Sequence, residues 1–175
     1  SNRNLFANMI DVRARFDFKK SDRFIVFLPM FHAFTLMGSV LVPLYISAPI
    51  VVIKNLLPFS NIVKQTLLKR VTVFIGVPDI FNALIRAKLP WYFMWFNKIR
   101  IFVSGASALS QDTLEKYQAK FTRAKMIEGY GLSECAPGVA INSVEKQIPL
   151  SVGPALDSIE AKIVNEEMME VGYHE

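Results

Sequence analysis

Five short runs rich in β-branched and aromatic residues alternate along this chain with segments of helical periodicity. The strand-like runs cover residues 24–28, 50–53, 72–75, 99–103 and 125–128, and helical patterns fill residues 31–47, 59–70, 79–88 and 110–120. Strands that alternate with helices predict βαβ units, in which each helix crosses right-handed over a parallel sheet. We therefore expect an α/β fold, a mostly parallel sheet with helices on both faces. A further helix, capped by Ser1 or Asn2, should run to about residue 15.

The character of the sequence changes near residue 144. Residues 1–143 carry the βαβ pattern, whereas residues 144–175 are more polar and contain one late strand-like run at 159–164. The last residues, 171–175, bring neither a helix end nor a closing strand. We therefore expect residues 144–175 to begin a small β-rich subdomain that the chain truncates, and the whole chain to be an internal fragment of a larger protein.

A run without any charged residue extends over residues 24–53. It is long enough to raise the question of a membrane span, which needs about 20 apolar residues. Pro29, Pro43 and Pro49 divide the run, and its two ends look like separate strands. Since parallel strands covered on both faces read as unbroken apolar runs, a soluble core is the preferred interpretation.

Charge and cysteine content restrict the classes of partner. The net charge is +5, but the basic residues are scattered and no basic cluster interleaved with aromatics predicts a nucleic-acid surface. The charge supports a mild attraction to anions such as nucleotides or anionic lipid. Cys135 is the single cysteine, which excludes an intrachain disulfide and favours a reducing cytoplasm. The aromatic residues at 90–96 are expected to pack in the core, with a membrane-facing or acyl-entry surface left as the alternative.

Two loops follow predicted strands, at the edge of the sheet where open α/β folds bind ligands. The first is Ser104-Gly-Ala-Ser-Ala-Leu-Ser110, whose small residues let the backbone approach a flat ligand. By itself it is more typical of a plain turn in which Ser110 caps the next helix.

The second loop is Glu128-Gly-Tyr-Gly-Leu-Ser-Glu134. Two glycines flank Tyr130, so its ring can offer a stacking face. Ser133 can donate a hydrogen bond to a phosphate oxygen, and Glu134 can bind Mg²⁺, which prefers oxygen ligands shared with substrate phosphates. The alternative is a tight turn with an exposed Glu134. Glu128 is expected to be a solvated carboxylate at the strand end.

Together with Phe27-Leu-Pro-Met-Phe-His-Ala-Phe34, these loops resemble the motifs of the adenylate-forming superfamily, which includes acyl-CoA synthetases, luciferases and peptide-synthetase adenylation domains. The consensus of that superfamily is, in this order, Leu-Pro-x-Phe-His-x-Phe, Ser-Gly-Gly-Ala-Pro-Leu-Ser and Gly-Tyr-Gly-x-Thr/Ser-Glu. The segment Leu132-Ser-Glu-Cys-Ala-Pro137 is most similar to the bacterial branch of long-chain fatty-acid–CoA ligases and acyl–acyl-carrier-protein synthetases. The resemblance covers the whole chain and implies an internal part of the large N-terminal domain.

The resemblance implies a role for each matching residue. Binding of the nucleotide would fall to Gly105, Ala106, Ser107, Tyr130 and Gly131, with the Tyr130 ring on the adenine. The catalytic residues would be His32, between nucleotide and acyl carboxylate, Ser133 at the α-phosphate, and Glu134 at the metal. The acyl pocket would be lined by Phe34, Gly38 and Val77. Judged from its neighbours alone, His32 is also compatible with packing in the core, and Cys135 with a small buried side chain.

The activity implied is that of an AMP-forming acid–thiol ligase with ATP, Mg²⁺, a fatty acid and coenzyme A or an acyl carrier protein as its partners. The adenine loop departs from the consensus at Ala106, Ser107 and Ala108. The chain contains no Ser/Thr/Gly-rich phosphate loop followed by Pro-Lys, and no Tyr-x-Thr-Gly-Asp segment. We therefore expect these 175 residues alone to be inactive. A non-catalytic nucleotide- or acyl-binding module is the alternative function.

Overall fold

The predicted alternation of strands and helices is present in the computed structural model, which describes residues 1–55 and 57–172. The helices are Asn2–Phe16 (α1), Ala33–Thr35 (α2), Val42–Tyr45 (α3), Phe59–Leu68 (α4), Pro78–Arg86 (α5), Trp91–Phe96 (α6) and Gln111–Lys120 (α7). A π-helix, Leu36–Leu41, joins α2 to α3, and a 3-10 turn covers Ser133–Cys135. The strands are Phe24–Val26 (β1), Ile50–Val52 (β2), Val73–Gly76 (β3), Ile101–Ser104 (β4), Lys125–Gly131 (β5) and Gly138–Ile141 (β6).

The strands form one sheet in the order β2-β1-β3-β4-β5-β6. Strands β1 to β5 run parallel to their neighbours, with Val73 opposite Ile101 and Ile101 opposite Lys125. Strand β6 turns back and pairs antiparallel with β5, which places Tyr130 opposite Ala140. The predicted fold class, α/β with a mostly parallel sheet, is confirmed.

Helices cover both faces of the sheet, because successive strand residues point to opposite sides. The face toward α4, α5, α6 and α7 carries Ile25, Phe74, Phe102 and Met126. The face toward α1 and the helical residues 36–45 carries Phe24, Val73, Ile101 and Ile127. Burial on both sides explains why these strands read as unbroken apolar runs.

Two serines begin helices as the sequence suggests. The Ser1 hydroxyl accepts a hydrogen bond from the Asn4 N–H at the start of α1, and the Ser110 hydroxyl accepts one from the Thr113 N–H at the start of α7. Each cap satisfies an amide that the first helical turn leaves without an internal partner.

Two local predictions are wrong. The aromatic residues at 90–96 do not pack in the core as a group: Phe93 is buried, but Trp91 and Trp95 are 74% and 70% exposed. They form α6, a surface helix that turns only one face inward. At 159–164 the described residues form no strand, and Val164 makes only an isolated bridge with Glu170. Residues 173–175, the end of the predicted segment 144–175, lie outside the described residues.

The charge-free run of residues 24–53 folds as a strand, a turn, an interrupted helix and a second strand. Across residues 1–55 and 57–172, no helix combines the length and the apolar character that crossing a bilayer requires.

Asp22 ties together the amino ends of three strands. Its buried carboxylate accepts hydrogen bonds from Arg100 at 2.8 and 2.5 Å, from the Thr72 hydroxyl at 2.8 Å and from the Lys19 N–H at 2.8 Å. Burial by itself raises the pKa of Asp22, but these hydrogen bonds and the charge of Arg100 together hold that pKa below its ordinary value. The cluster stabilises the edge of the sheet opposite to the two predicted ligand-binding loops.

Candidate active site

A cavity of about 470 Å³ opens at the carboxyl ends of the parallel strands. Its walls come from the segments that follow β1, β3 and β4 and from the end of β5. Predicted site residues that line it are His32, Phe34, Val77, Gly105, Ala106, Gly131 and Ser133. Because the carboxyl ends of parallel strands lie at one edge of the sheet, His32 and Ser133, which are 101 positions apart in the chain, line the same cavity.

His32 is placed at the cavity by the turn between β1 and α2. It is the residue that precedes α2, and its carbonyl oxygen accepts the first hydrogen bond of that helix, from the Leu36 N–H at 2.8 Å. The side chain is exposed, and its ring contacts that of Phe31, which is itself 81% exposed, at 4.5 Å between centroids. The structure therefore excludes the interpretation of His32 as a packed core residue.

The adenine loop of the resemblance follows β4. Gly105 is packed against Phe34, so closely that a Cβ there would lie 2.8 Å from the Phe34 ring. Ala106 adopts φ 68°, in the left-handed region that glycine occupies at no steric cost. This conformation accounts for the glycine that the superfamily consensus has at this position. Ser107 directly follows the lining residues and is exposed.

The second loop connects β5 to β6. Gly131 approaches the backbone of Pro137 closely, and a Cβ at Gly131 would meet the Pro137 carbonyl oxygen. The Leu132 N–H donates to that same oxygen at 2.9 Å, which closes the loop. Ser133 lines the cavity, whereas Tyr130 and Glu134 are exposed chain neighbours of lining residues. Cys135, expected to be buried, is only half-buried.

Glu128 is not the solvated carboxylate that the sequence suggests. It is 8% exposed, and its carboxylate accepts a hydrogen bond from the Leu109 N–H at 3.1 Å. Leu109 belongs to the adenine loop, and Glu128 lies at the start of the second loop. One buried hydrogen bond therefore holds the two predicted nucleotide-binding loops against each other.

Gly38 lies apart from the main cavity. It lines a small, wholly apolar void of about 50 Å³ in the core, next to Ile75, whose side chain would lie 3.0 Å from a Cβ at Gly38. Five residues line both the cavity and the void and so separate the two spaces: Phe34, Val103, Pro137, Gly138 and Ile141.

The wall formed by β6 is missing from the sequence-based prediction. Asn8, on α1, is buried and forms two hydrogen bonds with the backbone of Gly138. Its side-chain N–H donates to the Gly138 carbonyl at 2.7 Å, and its side-chain oxygen accepts from the Gly138 N–H at 3.1 Å. Thr35, Pro137 and Ile141 also line the cavity without having been predicted. The available signal was the short run Gly-Val-Ala-Ile at 138–141, which begins four residues after the end of the second loop.

The described residues contain no group of three or more side chains of His, Cys, Asp or Glu that could hold a metal ion. Near the cavity, the carboxylate of Glu134 is the protein ligand that the resemblance suggests for Mg²⁺. A single carboxylate fits this ion, which commonly binds through one or two carboxylates and completes its coordination with water and substrate phosphates.

Comparisons with known proteins agree with this geometry. The profile of the family described as AMP-binding enzyme matches residues 1–175. A long-chain-fatty-acid–CoA ligase of Escherichia coli O6:H1 is 29% identical over 98% of this chain and 31% of its own length. The chain thus spans about a third of the length of the curated relatives it matches.

Solved structures with the same fold include ATP-bound MatB from Rhodopseudomonas palustris, with a TM-score of 0.88 and 26% identity over 100% of this chain and 34% of that one. A benzoate CoA ligase from Burkholderia xenovorans LB400 has a TM-score of 0.91 over 100% of this chain and 36% of that one; its 21% identity shows the fold alone. With a family profile that covers every residue, the chain belongs to the AMP-binding enzymes.

Proposed function

We propose that this chain forms the central part of the nucleotide-binding domain of an AMP-forming acid–thiol ligase that acts on long-chain fatty acids. In the first step, a carboxylate oxygen attacks the α-phosphorus of ATP, and the bond to pyrophosphate breaks. In the second step, a thiol sulfur attacks the acyl carbonyl, its proton is released, and AMP leaves. The observation that carries the proposal is the single cavity where His32, Gly105 and Ser133 meet.

Positioning, rather than a protein nucleophile, would supply most of the rate acceleration. We assign the adenine to the loop of Gly105, Ala106 and Ser107. Small side chains and a left-handed backbone leave room there for a flat base. The exposed ring of Tyr130 is free to cover one face of that base, and Gly131 forms the adjoining wall.

His32 follows β1 and Ser133 follows β5, and both line the cavity. We assign Ser133 as a hydrogen-bond donor to the α-phosphate and His32 as a group that orients the acyl carboxylate. Glu134 would hold Mg²⁺, which when bound supplies neutralisation of the phosphate charge.

For the acyl chain, the apolar void behind Phe34 supports an extension of the pocket into the core. Phe34 and Val77 line the main cavity and Gly38 lines the void, so together they trace a path along the helical residues 33–45. Support for a fatty acid as the substrate comes from the name of the relative in E. coli.

Coenzyme A or an acyl carrier protein would accept the acyl group, in a reducing cytoplasm where the single Cys135 stays a thiol. We further propose the division at residue 143, with the βαβ part before it and the start of a β-rich subdomain after it. In support, the described residues after 143 form only isolated bridges.

The proposal is tested by ATP–pyrophosphate exchange in the full-length enzyme that carries this chain. Glu134→Gln keeps the shape of the side chain and removes the charge, so adenylation should fall by orders of magnitude. Glu145→Gln, at an exposed carboxylate that does not line the cavity, is the matched control and should retain full exchange. Unchanged exchange in Glu134→Gln at saturating Mg²⁺ would remove Glu134 from the site. ATP binding without exchange in the parent enzyme would support the non-catalytic module instead.

A further inference from the structure

The helix α6 presents an apolar surface to solvent. Trp91, Trp95 and Phe96 are 74%, 70% and 62% exposed, and Phe93 anchors the helix in the core. Both tryptophans of the chain lie on this helix. Contiguous exposed aromatic side chains of this size mark an interaction site more often than a surface that stays in water.

The surroundings of α6 are basic. A groove of about 870 Å³ between α4 and α6 is lined by Lys64 and Lys88, and a second of about 270 Å³ between α6 and the end of α7 is lined by Arg123. No acidic residue is among the described residues that line either groove. The Arg123 guanidinium donates to the Trp95 carbonyl at 3.4 Å, so its charge lies beside the helix.

The charge imbalance extends along the segment that builds this face. Residues 51–111 contain eight basic residues and one acidic residue, although the whole chain has a net charge of only +5. The charge of Arg100 is neutralised by an ion pair with Asp22, whereas Lys64, Lys88 and Arg123 are exposed. This segment, which contains α6, Lys64 and Lys88, therefore carries a net charge of +7.

We propose that this surface, made of α6 with Lys64, Lys88 and Arg123, docks on an anionic lipid bilayer. Tryptophan and tyrosine favour the boundary between headgroups and acyl chains, and Trp91, Tyr92 and Trp95 would lie there. The basic side chains on both flanks would meet anionic headgroups. A bilayer offers an apolar layer and a negatively charged layer at once, which matches an apolar helix with cations on both sides.

The position of α6 in the fold keeps the cavity free on such a surface. The helix leads into the amino end of β4, whereas the cavity opens at the carboxyl ends of the strands. The docking surface and the candidate active site are thus at different edges of the sheet. Binding to the bilayer needs no nucleotide, and its failure would leave the proposed ligase activity untouched.

The test is cosedimentation of the full-length protein with vesicles of phosphatidylcholine alone or of equimolar phosphatidylglycerol and phosphatidylcholine. We expect binding to the anionic vesicles only, weakened by salt. Each basic residue near an anionic surface contributes about fivefold to partition, so Lys88→Gln with Arg123→Gln should lower it roughly 25-fold. Trp91→Ala with Trp95→Ala should also abolish most binding. Matched controls are Lys20→Gln with Lys162→Gln, and Phe6→Ala on α1, where Phe6 is also exposed.

Three outcomes would overturn the proposal. The first is no binding to anionic vesicles, and the second is equal binding by the parent, the α6 variants and the controls. The third is that acrylamide fails to quench the fluorescence of Trp91 and Trp95 in the protein without vesicles. The fluorescence of these two side chains is obtained by subtracting that of a variant with phenylalanine at both positions. That result would show the face to be covered by another part of the protein or by a second copy.

Discussion

The hydrogen bond between Glu128 and Leu109 provides a direct test of how the candidate site is held together. Glu128→Ala removes the acceptor and leaves the Leu109 N–H without its partner in a buried position. An unpaired buried donor costs about 1–3 kcal/mol, and the lost methylene adds about 0.8 kcal/mol. We therefore expect the free energy of unfolding to fall by about 2–4 kcal/mol in total. The part that comes from the unpaired Leu109 amide should be felt mainly in the two loops.

Hydrogen exchange at the Leu109 amide measures that local share in the full-length protein. If the free energy of the local opening that exposes this amide falls by about 1–3 kcal/mol, the amide exchanges roughly 5- to 150-fold faster. Glu128→Gln is the matched variant: it keeps a carbonyl oxygen in the same place, and exchange should rise less than about tenfold. If the two loops bind the nucleotide, KM for ATP should rise in Glu128→Ala more than kcat falls.

The reasoning is refuted if the Leu109 amide in Glu128→Ala exchanges at the parent rate while the variant stays folded. In that case the carboxylate would not support the adenine loop. A slowed Leu109 amide together with raised stability would show that burying the charge costs more than the hydrogen bond returns.

Three further predictions concern stability, the acyl pocket and the chain itself. Asp22→Asn should destabilise the protein by about 2–4 kcal/mol at pH 7, because it removes the partner of Arg100. The pKa of Asp22 is lowered from its ordinary value of 3.8, so its contribution to the free energy of unfolding is complete above pH 3.8 and is lost as the pH falls through the lowered pKa. Denaturant unfolding at a series of pH values should therefore show this acid-dependent loss of stability in the parent protein but not in Asp22→Asn. Gly38→Val should fill the void and shift kcat/KM of the full-length enzyme toward shorter acids, by about fourfold for each methylene excluded; an equal loss at every chain length would indicate a folding defect. The 175 residues alone should show no ATP–pyrophosphate exchange, and exchange above a protein-free control would contradict this.

The sequence predicts the central strands β1, β3 and β4 well because each is buried along its whole length. Residues such as Phe74 and Phe102 are apolar whichever way they point, so the runs stand out against their surroundings. The end of β5 was hidden because Gly129 and Gly131 have weak strand propensity, although pairing with β6 extends the strand through them.

Contacts between distant segments set the limits of prediction at the site. Glu128 looks like a surface residue in sequence, and only the folded position of the Leu109 amide explains its burial. The aromatic run of α6 gives no sequence signal for exposure, because hydrophobic composition cannot distinguish the one buried ring of Phe93 from its exposed neighbours. The roles assigned to His32, Ser133 and Glu134 stay predictions, and Glu134→Gln tests the last of them.

The order of strands in the sheet has a consequence for how the protein is made. Once β1 lies between β2 and β3, the strands β4, β5 and β6 are each added to the outer edge in the order in which the ribosome releases them. Every new strand therefore finds its neighbour already synthesised, and paired residues of the sheet lie no more than 49 positions apart in the chain. The loop that contains Gly105 is synthesised before the loop that contains Ser133. The cavity is completed last, when Gly138 forms its hydrogen bonds with the side chain of Asn8 on α1.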